Sequence, residues 1–147
     1  MELYPRIEEA LKNAIRAKDD NAKDALRMLL TSIKLKEKEI KRQPNDTEIQ
    51  QAISSLVRQR HDSIEQFRQG GREELAAKEE EEIRILQEFL PPQLSPEELE
   101  EMVEEAVLKA GASSIKDMGR VMKILMPETA GRADGKIVTE SVRRRLE

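Results

Sequence analysis

The chain has 147 residues and a net charge of -4, and it contains no cysteine, no tryptophan, one tyrosine and two phenylalanines. This composition excludes disulfide bridges and thiolate metal sites, and it requires a core of aliphatic side chains, which suit the interfaces between helices. No segment approaches the roughly 20 apolar residues of a membrane span, and the charged N-terminus does not resemble a signal peptide. We therefore predict an all-α, cytoplasmic protein with no membrane partner.

The first part of the chain predicts two amphipathic helices. Pro5 suits a first helical turn, and apolar residues follow it at helical spacing. The first helix is predicted to bury one stripe, formed by Ile7, Leu11, Ala14 and Ile15. A second helix is predicted to begin near Asn21 and to stop before Pro44, because proline lacks the amide that a helix needs. Its predicted inward face consists of Ala22, Leu26, Leu29, Leu30, Ile33 and Ile40.

Two further helices are predicted between Pro44 and the next pair of prolines. Asp46 or Thr47 is predicted to cap the third helix, and the glycine pair Gly70 and Gly71 to end it. The third helix is predicted to bury Ile49, Ile53, Leu56, Val57, Ile64 and Phe67. The fourth is predicted to bury Leu75, Ile83, Leu86 and Leu90, with the glutamate run 79–82 mostly on its outer face.

The sequence FLPPQLSPEELEEMV predicts a domain boundary. Pro91 and Pro92 break the fourth helix, and Ser95, Pro96 and Glu98 form the pattern of a capping box that begins a new one. We therefore predict an N-terminal domain of about four helices over residues 1–92 and a C-terminal three-helix bundle over residues 93–147. The bundle is predicted to bury apolar residues of its three helices, namely Leu99, Met102, Val103, Ala106, Val107, Met118, Val121, Met122, Leu125, Ile137, Val138, Val142 and Leu146.

Charge is distributed unevenly along the chain. Residues 1–43 and 116–147 each carry a net charge of +3, whereas residues 71–115 carry -9. This pattern argues against a protein that binds nucleic acid over its whole surface, but it leaves room for local basic faces. Solvated helix surfaces would explain the same pattern.

Three arrangements that resemble catalytic or metal sites have simpler interpretations. Ser113, Ser114 and Lys116 are residue types that some amidases use, but Ser114 followed by Asp117 is typical of a helix cap. The only histidine, His61, is predicted to lie on a polar helix face. The glutamates of the run 79–82 are expected to fan around a helix rather than converge. We therefore predict no catalytic residue, no metal site and no cofactor.

The GRADG segment near the C-terminus, residues 131–135, has two interpretations. Gly131 permits a tight turn, and the N-terminus of a following helix could hold a phosphate. However, Asp134 stands at the natural N-cap position, where its carboxylate would occupy the free amides and repel an anion. A structural turn and cap is the favoured interpretation. The cations around this segment are then better candidates for binding RNA than its glycines.

A combination of motifs in the last third of the chain carries a family resemblance. The motifs are Met118-Gly119, Val121-Met122-Lys123, the Gly131–Asp134 tetrapeptide and a final helix that ends in basic residues. With the preceding segment ILQEFLPPQLSPEELEEMV, they resemble the YqeY family over essentially the whole chain. The last third is also similar to the tail domain of GatB, a component of the tRNA-dependent amidotransferase.

The resemblance implies an all-helical protein and a link to aminoacyl-tRNA metabolism. In the amidotransferase the tail helps to recognise the tRNA, and the catalytic domains lie elsewhere; none of those domains is present in this sequence. We predict an RNA-binding accessory protein with tRNA or another structured RNA as its partner, and we expect no DNA. The predicted phosphate contacts are Arg120, Lys123, Arg132, Lys136, Arg143 and Arg144, with a weaker second patch at Lys34, Lys38 and Lys41. The alternative is a module that docks helix to helix on an amidotransferase or another translation protein.

Overall fold

The computed structural model describes residues 3–147; residues 1 and 2, and with them the start of the predicted first domain, lie outside the described part. The described residues form seven α-helices and one short 3₁₀ turn and contain no strand, which confirms the all-α prediction. No helix in this range is long and apolar enough to cross a bilayer. The helices are α1 Leu3–Ala17, α2 Asp20–Ile40, α3 Asp46–Gln69, α4 Glu73–Gln87, α5 Pro96–Ala110, α6 Met118–Thr129 and α7 Gly135–Leu146, with the 3₁₀ turn at Ile115–Asp117.

Contacts along the chain divide it into two compact units, Met1–Pro91 and Pro92–Glu147. In the first unit, α3 packs extensively against α4, while α2 contacts α1, α3 and α4. The core is aliphatic, as the composition requires, and most of the predicted inward stripes are buried. Its fully buried large side chains are Ile7, Leu26, Leu29, Ile33, Ile49, Ile53 and Leu86.

The connection between α2 and α3 differs from the prediction. Asn45, rather than Asp46 or Thr47, is the N-cap of α3: its side chain accepts a 2.9 Å hydrogen bond from the Glu48 N–H, and the Glu48 carboxylate accepts one from the Asn45 N–H. Asp46 instead lies in the first turn of α3 and accepts a 3.3 Å hydrogen bond from the backbone N–H of Leu3. The capping box is therefore one residue earlier, which frees the next carboxylate to bind α1.

Two predicted inward positions are wrong, whereas the predicted glycine end of α3 is confirmed. Ile15 and Ile137 were placed on inward faces, but they are 47% and 53% exposed, because both lie at the margin of their apolar stripes. Gly70 has an ordinary negative φ, and Gly71 is the residue in the left-handed region, with a φ of 71°. The glycine pair therefore ends α3 as predicted, with the left-handed residue directly after the C-cap.

The second unit is a three-helix bundle in which α5, α6 and α7 all contact one another. Its buried core consists of Leu99, Val103, Ala106, Val107, Val121, Leu125, Val138, Val142 and Leu146. The capping box at the start of α5 is confirmed: Ser95 accepts a 3.1 Å hydrogen bond from the Glu98 N–H, and Glu98 accepts a 3.0 Å bond in return. Pro96 follows at the first helical position, as predicted.

Candidate nucleic-acid interface

The GRADG segment is a turn followed by a helix cap. Gly131 has a φ of 74°, in the left-handed region that glycine adopts without a side-chain clash. The Asp134 carboxylate accepts a 3.1 Å hydrogen bond from the backbone N–H of Lys136 at the start of α7. The turn-and-cap interpretation is confirmed, and the carboxylate stands where a bound phosphate would need free amides.

The same segment is fixed to the chain that precedes α5. The carbonyl oxygens of Gly131 and Arg132 accept 2.8 Å hydrogen bonds from the Gln93 side chain and the Leu94 N–H respectively. The Arg132 side chain is partly buried, and its Nε donates a long hydrogen bond of 3.5 Å to the Pro92 carbonyl. Arg132 therefore already has a structural role within the second unit.

The two predicted contact residues on α6 differ in whether they form an ion pair within the protein. Arg120 and Lys123 are both exposed, but Arg120 Nη2 forms a 2.6 Å ion pair with Asp117. Asp117 also accepts hydrogen bonds of 2.8 and 3.3 Å from the backbone N–H groups of Ser113 and Ser114. These backbone bonds, chiefly that of Ser113, and then Arg120 lower the pKa of Asp117 from 3.8 to about 2. The predicted capping role of this segment is confirmed, and no catalytic serine is needed to explain it.

The outer face of α7 is basic but not uniformly so. Lys136, Arg143 and Arg144 are all exposed, and the spacing of seven residues places Lys136 and Arg143 on one side of the helix. Glu140 is also exposed and lies four residues from both Lys136 and Arg144, on the same side. Its carboxylate reduces the positive potential of this face.

Arg145, beside these cations, binds within the protein. Its Nε and Nη2 atoms donate hydrogen bonds of 2.6 and 2.8 Å to the two carboxylate oxygens of Glu104. This two-pronged pair joins α7 to α5 and lowers the pKa of Glu104 through hydrogen bonding. Arg145 was not among the predicted RNA contacts, and its geometry gives it a structural role.

A single basic face requires α6 and α7 to lie side by side, and the two helices do pack against each other. Arg120 and Arg145 are paired with carboxylates, and the other exposed cations on these two helices are Lys123, Lys136, Arg143 and Arg144. The RNA-binding role of all six residues stays a prediction. The weaker patch, Lys34, Lys38 and Lys41, is also exposed; Lys34 and Lys38 lie one turn apart on α2, and Lys41 is the left-handed C-cap residue after the helix.

Sequence reasoning missed a buried charged cluster in the first unit. The side chains of Arg60 on α3 and Glu82 on α4 are only 5% and 6% exposed, and Arg60 Nε lies 3.4 Å from a Glu82 oxygen. Glu79, one helical turn before Glu82, lies 3.6 Å from the same nitrogen. The expectation that the glutamate run points outward and does not converge is therefore wrong for these two carboxylates. A signal was present: Arg60 lies four residues after Leu56 and four before Ile64, on the apolar stripe of α3.

The cluster borders a cavity of about 520 Å³. Burial raises the pKa of Glu82 above 4.5, the positive charge of Arg60 acts against this rise, and the neighbouring Glu79 adds to it. The cavity is lined by Asp24, Arg27, Met28, Gln59, Arg60, Ser63, Lys78, Glu79 and Glu82.

The histidine and the acidic residues were also considered as candidate sites in the sequence. His61 is exposed on α3, as predicted. Within residues 3–147, no group of three or more potential ligands is arranged to hold a metal ion.

Comparison with known proteins gives a consistent result. The model of a family described as "Yqey-like protein" matches residues 4–146. The protein named "Altered inheritance of mitochondria protein 41, mitochondrial" from Vanderwaltozyma polyspora is 37% identical over 123 residues, covering 76% of this chain and 64% of that protein. Its namesake from Pyrenophora tritici-repentis is 30% identical over 143 residues, or 95% of this chain and 78% of the relative.

The relatives are longer than the region that this chain matches. The namesake from Eremothecium gossypii is 38% identical over 96 residues, which is 63% of this chain but only 52% of that protein. The chain therefore spans between about half and four fifths of the length of these three relatives. Their names place the relatives themselves in mitochondria.

Proposed function

The chain belongs to the YqeY family, and from this premise we propose that it is an RNA-binding accessory protein linked to tRNA-dependent amidotransferase activity. The observation that carries the proposal is the packing of α6 against α7 with exposed cations on both helices. The similarity of the last third to the tail domain of GatB supports tRNA as the partner. In this proposal the chain contributes binding and no catalysis.

The proposed contacts are to phosphates rather than to bases. Residues 92–147 contain no aromatic side chain on which a base could stack, so single-stranded RNA has little to bind there. Lysine and arginine gain affinity by releasing counterions from the RNA backbone, which suits a folded RNA. Lys123, Lys136, Arg143 and Arg144 are the leading contacts. Arg120 and Arg132 are secondary, because each already binds a group of this protein.

An electrophoretic shift assay with tRNA at two salt concentrations tests this proposal. We expect the affinity to fall steeply as salt rises, and the triple variant Lys123→Glu, Lys136→Glu and Arg143→Glu to weaken binding by about 10-fold or more. The slope of log affinity against log salt should also become shallower by roughly two to three for the three lost contacts.

A control variant with the same change in net charge distinguishes the loss of a local interface from a general effect of charge on RNA binding. Lys12, Arg16 and Lys18 are exposed cations of the first unit, and reversing all three changes the net charge by the same amount. We expect this control to bind tRNA nearly as well as the unaltered chain. Equal losses in the two triple variants, or binding that ignores salt, would exclude the proposed interface. Reversal of Lys34, Lys38 and Lys41 measures the weaker patch in the same assay.

A second proposal, docking on a protein partner, rests on a different observation. Leu108, Ile115 and Ile137 in the second unit are 74%, 45% and 53% exposed, although each is apolar. We propose that an amidotransferase or another translation protein covers some of these residues through helix-to-helix packing. A pull-down from nuclease-treated extract distinguishes the two proposals: a partner that survives nuclease and is lost in Leu108→Ser favours protein docking, whereas loss on nuclease treatment favours RNA.

The compartment also belongs to the proposal. The sequence predicts a cytoplasmic protein, and the names of the relatives place those proteins in mitochondria. We propose that this chain works where its tRNA partner is aminoacylated, whether that is the cytoplasm or the mitochondrial interior. Fractionation of the source cells with an antibody to the chain identifies which.

A further inference from the structure

A buried arginine of the first unit contacts the sulfur atom of an exposed methionine. Arg60 Nη2 donates a hydrogen bond of 3.3 Å to Met28 Sδ, and Nη1 donates a long one of 3.5 Å to the Leu56 carbonyl. The buried Nε has no hydrogen-bond acceptor, although two carboxylates lie within 3.6 Å of it. Because a thioether is a weak acceptor, this guanidinium lacks a strong acceptor on the side that faces Met28.

Met28 is open to small molecules in the surrounding water. It is 50% exposed on α2 and lines the 520 Å³ cavity beside Arg60. Met28 is the only exposed methionine among residues 3–147. The other methionines in this range are partly buried against the core of the second unit. Those others are Met102, Met118, Met122 and Met126.

We propose that Met28 is an oxidation site for hydroperoxides and that Arg60 holds the resulting sulfoxide. The sulfur donates an electron pair to one oxygen of hydrogen peroxide, a sulfur–oxygen bond forms, and the oxygen–oxygen bond breaks. The second oxygen leaves as water after it takes up the proton of the transferred oxygen. The sulfur is thereby oxidised by two electrons and the peroxide is reduced.

The added oxygen gives Met28 on α2 a new hydrogen-bond acceptor for Arg60 on α3. A sulfoxide oxygen is a strong acceptor, and the half-exposed Met28 side chain is free to turn it toward Nη2 of Arg60. Methionine oxidation usually disrupts packing because a polar oxygen enters an apolar site. At Met28 the oxygen instead meets Nη2 of Arg60, whose present acceptor is the weak thioether sulfur, and replacing it with a stronger acceptor strengthens the link between α2 and α3.

Limited oxidation of the whole chain with hydrogen peroxide tests the proposal. Trypsin releases residues 28–34 as a peptide with a single methionine, so mass spectrometry reads Met28 directly. We expect Met28 to be oxidised before Met102, Met118, Met122 and Met126, and the singly oxidised chain to melt no lower than the reduced chain. Oxidation of Met28 no faster than these four, or a lower melting temperature once it is oxidised, would overturn the proposal.

Substitutions at Met28 test the effect of an added acceptor oxygen on stability without the use of peroxide. Met28→Gln places an amide oxygen near the position of the sulfoxide, and Met28→Leu keeps an apolar chain without an acceptor. We expect Met28→Gln to melt roughly 2–4 °C above Met28→Leu. Leu35→Gln is the matched control, because Leu35 is 62% exposed seven residues along the same side of α2 and should show no such gain. A Met28→Gln chain that melts at or below Met28→Leu, or a gain in Leu35→Gln of the same size, contradicts the proposal.

Discussion

The first unit of this protein, which also carries surface ion pairs, buries one pair of charged side chains, and the described part of the second unit buries none. The first unit buries Arg60 with Glu82, both at most 6% exposed, between α3 and α4. The second unit keeps its ion pairs at the surface: in the pair Arg145–Glu104, the two side chains are 46% and 48% exposed. Substituting one member of a buried charged cluster is expected to cost much stability, because its partner stays buried without compensation. Substituting a surface charge is expected to cost little, and surface charges can also contact other molecules.

The largest expected effect comes from breaking the buried cluster. Arg60→Ala leaves the Glu82 carboxylate buried without its positive neighbour, and we expect a loss of about 3–5 kcal/mol in the free energy of unfolding. Urea denaturation followed by circular dichroism measures this loss. Adding Glu82→Gln to Arg60→Ala should recover part of it, because the remaining side chain is then neutral.

The equivalent change in the second unit serves as the control. Arg120→Ala removes one side of a pair in which the arginine side chain is 61% exposed. Water replaces the lost contact there, so the change in stability should be much smaller than in Arg60→Ala. A loss of similar size in the two variants would mean that the contrast between buried and surface charges does not govern the stability of the units.

A second prediction concerns acid, which should act on the two units with opposite signs. The pKa of Asp117 in the folded chain is lowered from 3.8 to about 2, so its stabilising contribution is present above pH 3.8 and is lost as the pH falls toward 2. Burial raises the pKa of Glu82 above 4.5, so the stability linked to its protonated form is present below pH 4.5 and is lost as the pH rises through the folded pKa.

Two neutral variants check these signs. Asp117→Asn should lower stability at pH 7 and reduce the loss between pH 4 and 2, whereas Glu82→Gln should remove the loss of stability that occurs as the pH rises through the folded pKa of Glu82. Thermal melts at intervals between pH 2 and 8 give both profiles. The same pH dependence in both variants would show that the carboxylates do not differ in the proposed way.

Periodicity and cap chemistry predicted most of the fold. Apolar residues at helical spacing identified all seven α-helices, because each helix buries one continuous stripe. Ser95 was predicted correctly since a capping box followed by proline is a local pattern. The cap of α3 was missed by one residue because asparagine and aspartate stand side by side at Asn45 and Asp46, and a contact with Leu3, distant in sequence, determines which one faces the helix.

The charged cluster, unlike the apolar core, was not predicted from the sequence. Sequence pattern assigns a glutamate run to solvent, and only the packing of α3 against α4 shows that Glu79 and Glu82 meet Arg60. The predicted basic surface is partly altered for the same reason. Arg120 and Arg132 were chosen for their charge, but neighbours at Asp117 and Pro92 bind their side chains. Pairings of this kind depend on side-chain geometry that charge counts do not contain.

A third prediction compares the helix caps of the two units. Asn45→Ala in the first unit and Ser95→Ala in the second each remove a side chain that accepts a hydrogen bond from the third residue of its helix. We expect each to lower the free energy of unfolding by about 1 kcal/mol, since both caps are surface features. Equal losses would show that the units differ in their buried charges and not in their surface hydrogen bonds. Denaturant titration of both variants beside the unaltered chain makes the comparison.

The smallest expected effect concerns left-handed backbone positions. In the described part of the second unit these positions hold glycine, at Gly111 and Gly131, whereas the first unit places lysine at two of them, Lys18 and Lys41, with φ values of 57° and 60°, and glycine at Gly71. A lysine side chain crowds the backbone in this conformation, so Lys41→Gly should raise the free energy of unfolding by roughly 0.5–1 kcal/mol. Gly111→Ala should change it by a similar amount in the other direction, because Gly111 has a φ of 61° and its Cβ would gain no contact within 4 Å. The denaturant midpoints of the two variants and the unaltered chain measure these changes. A higher midpoint for Gly111→Ala, or a lower midpoint for Lys41→Gly, would contradict the prediction.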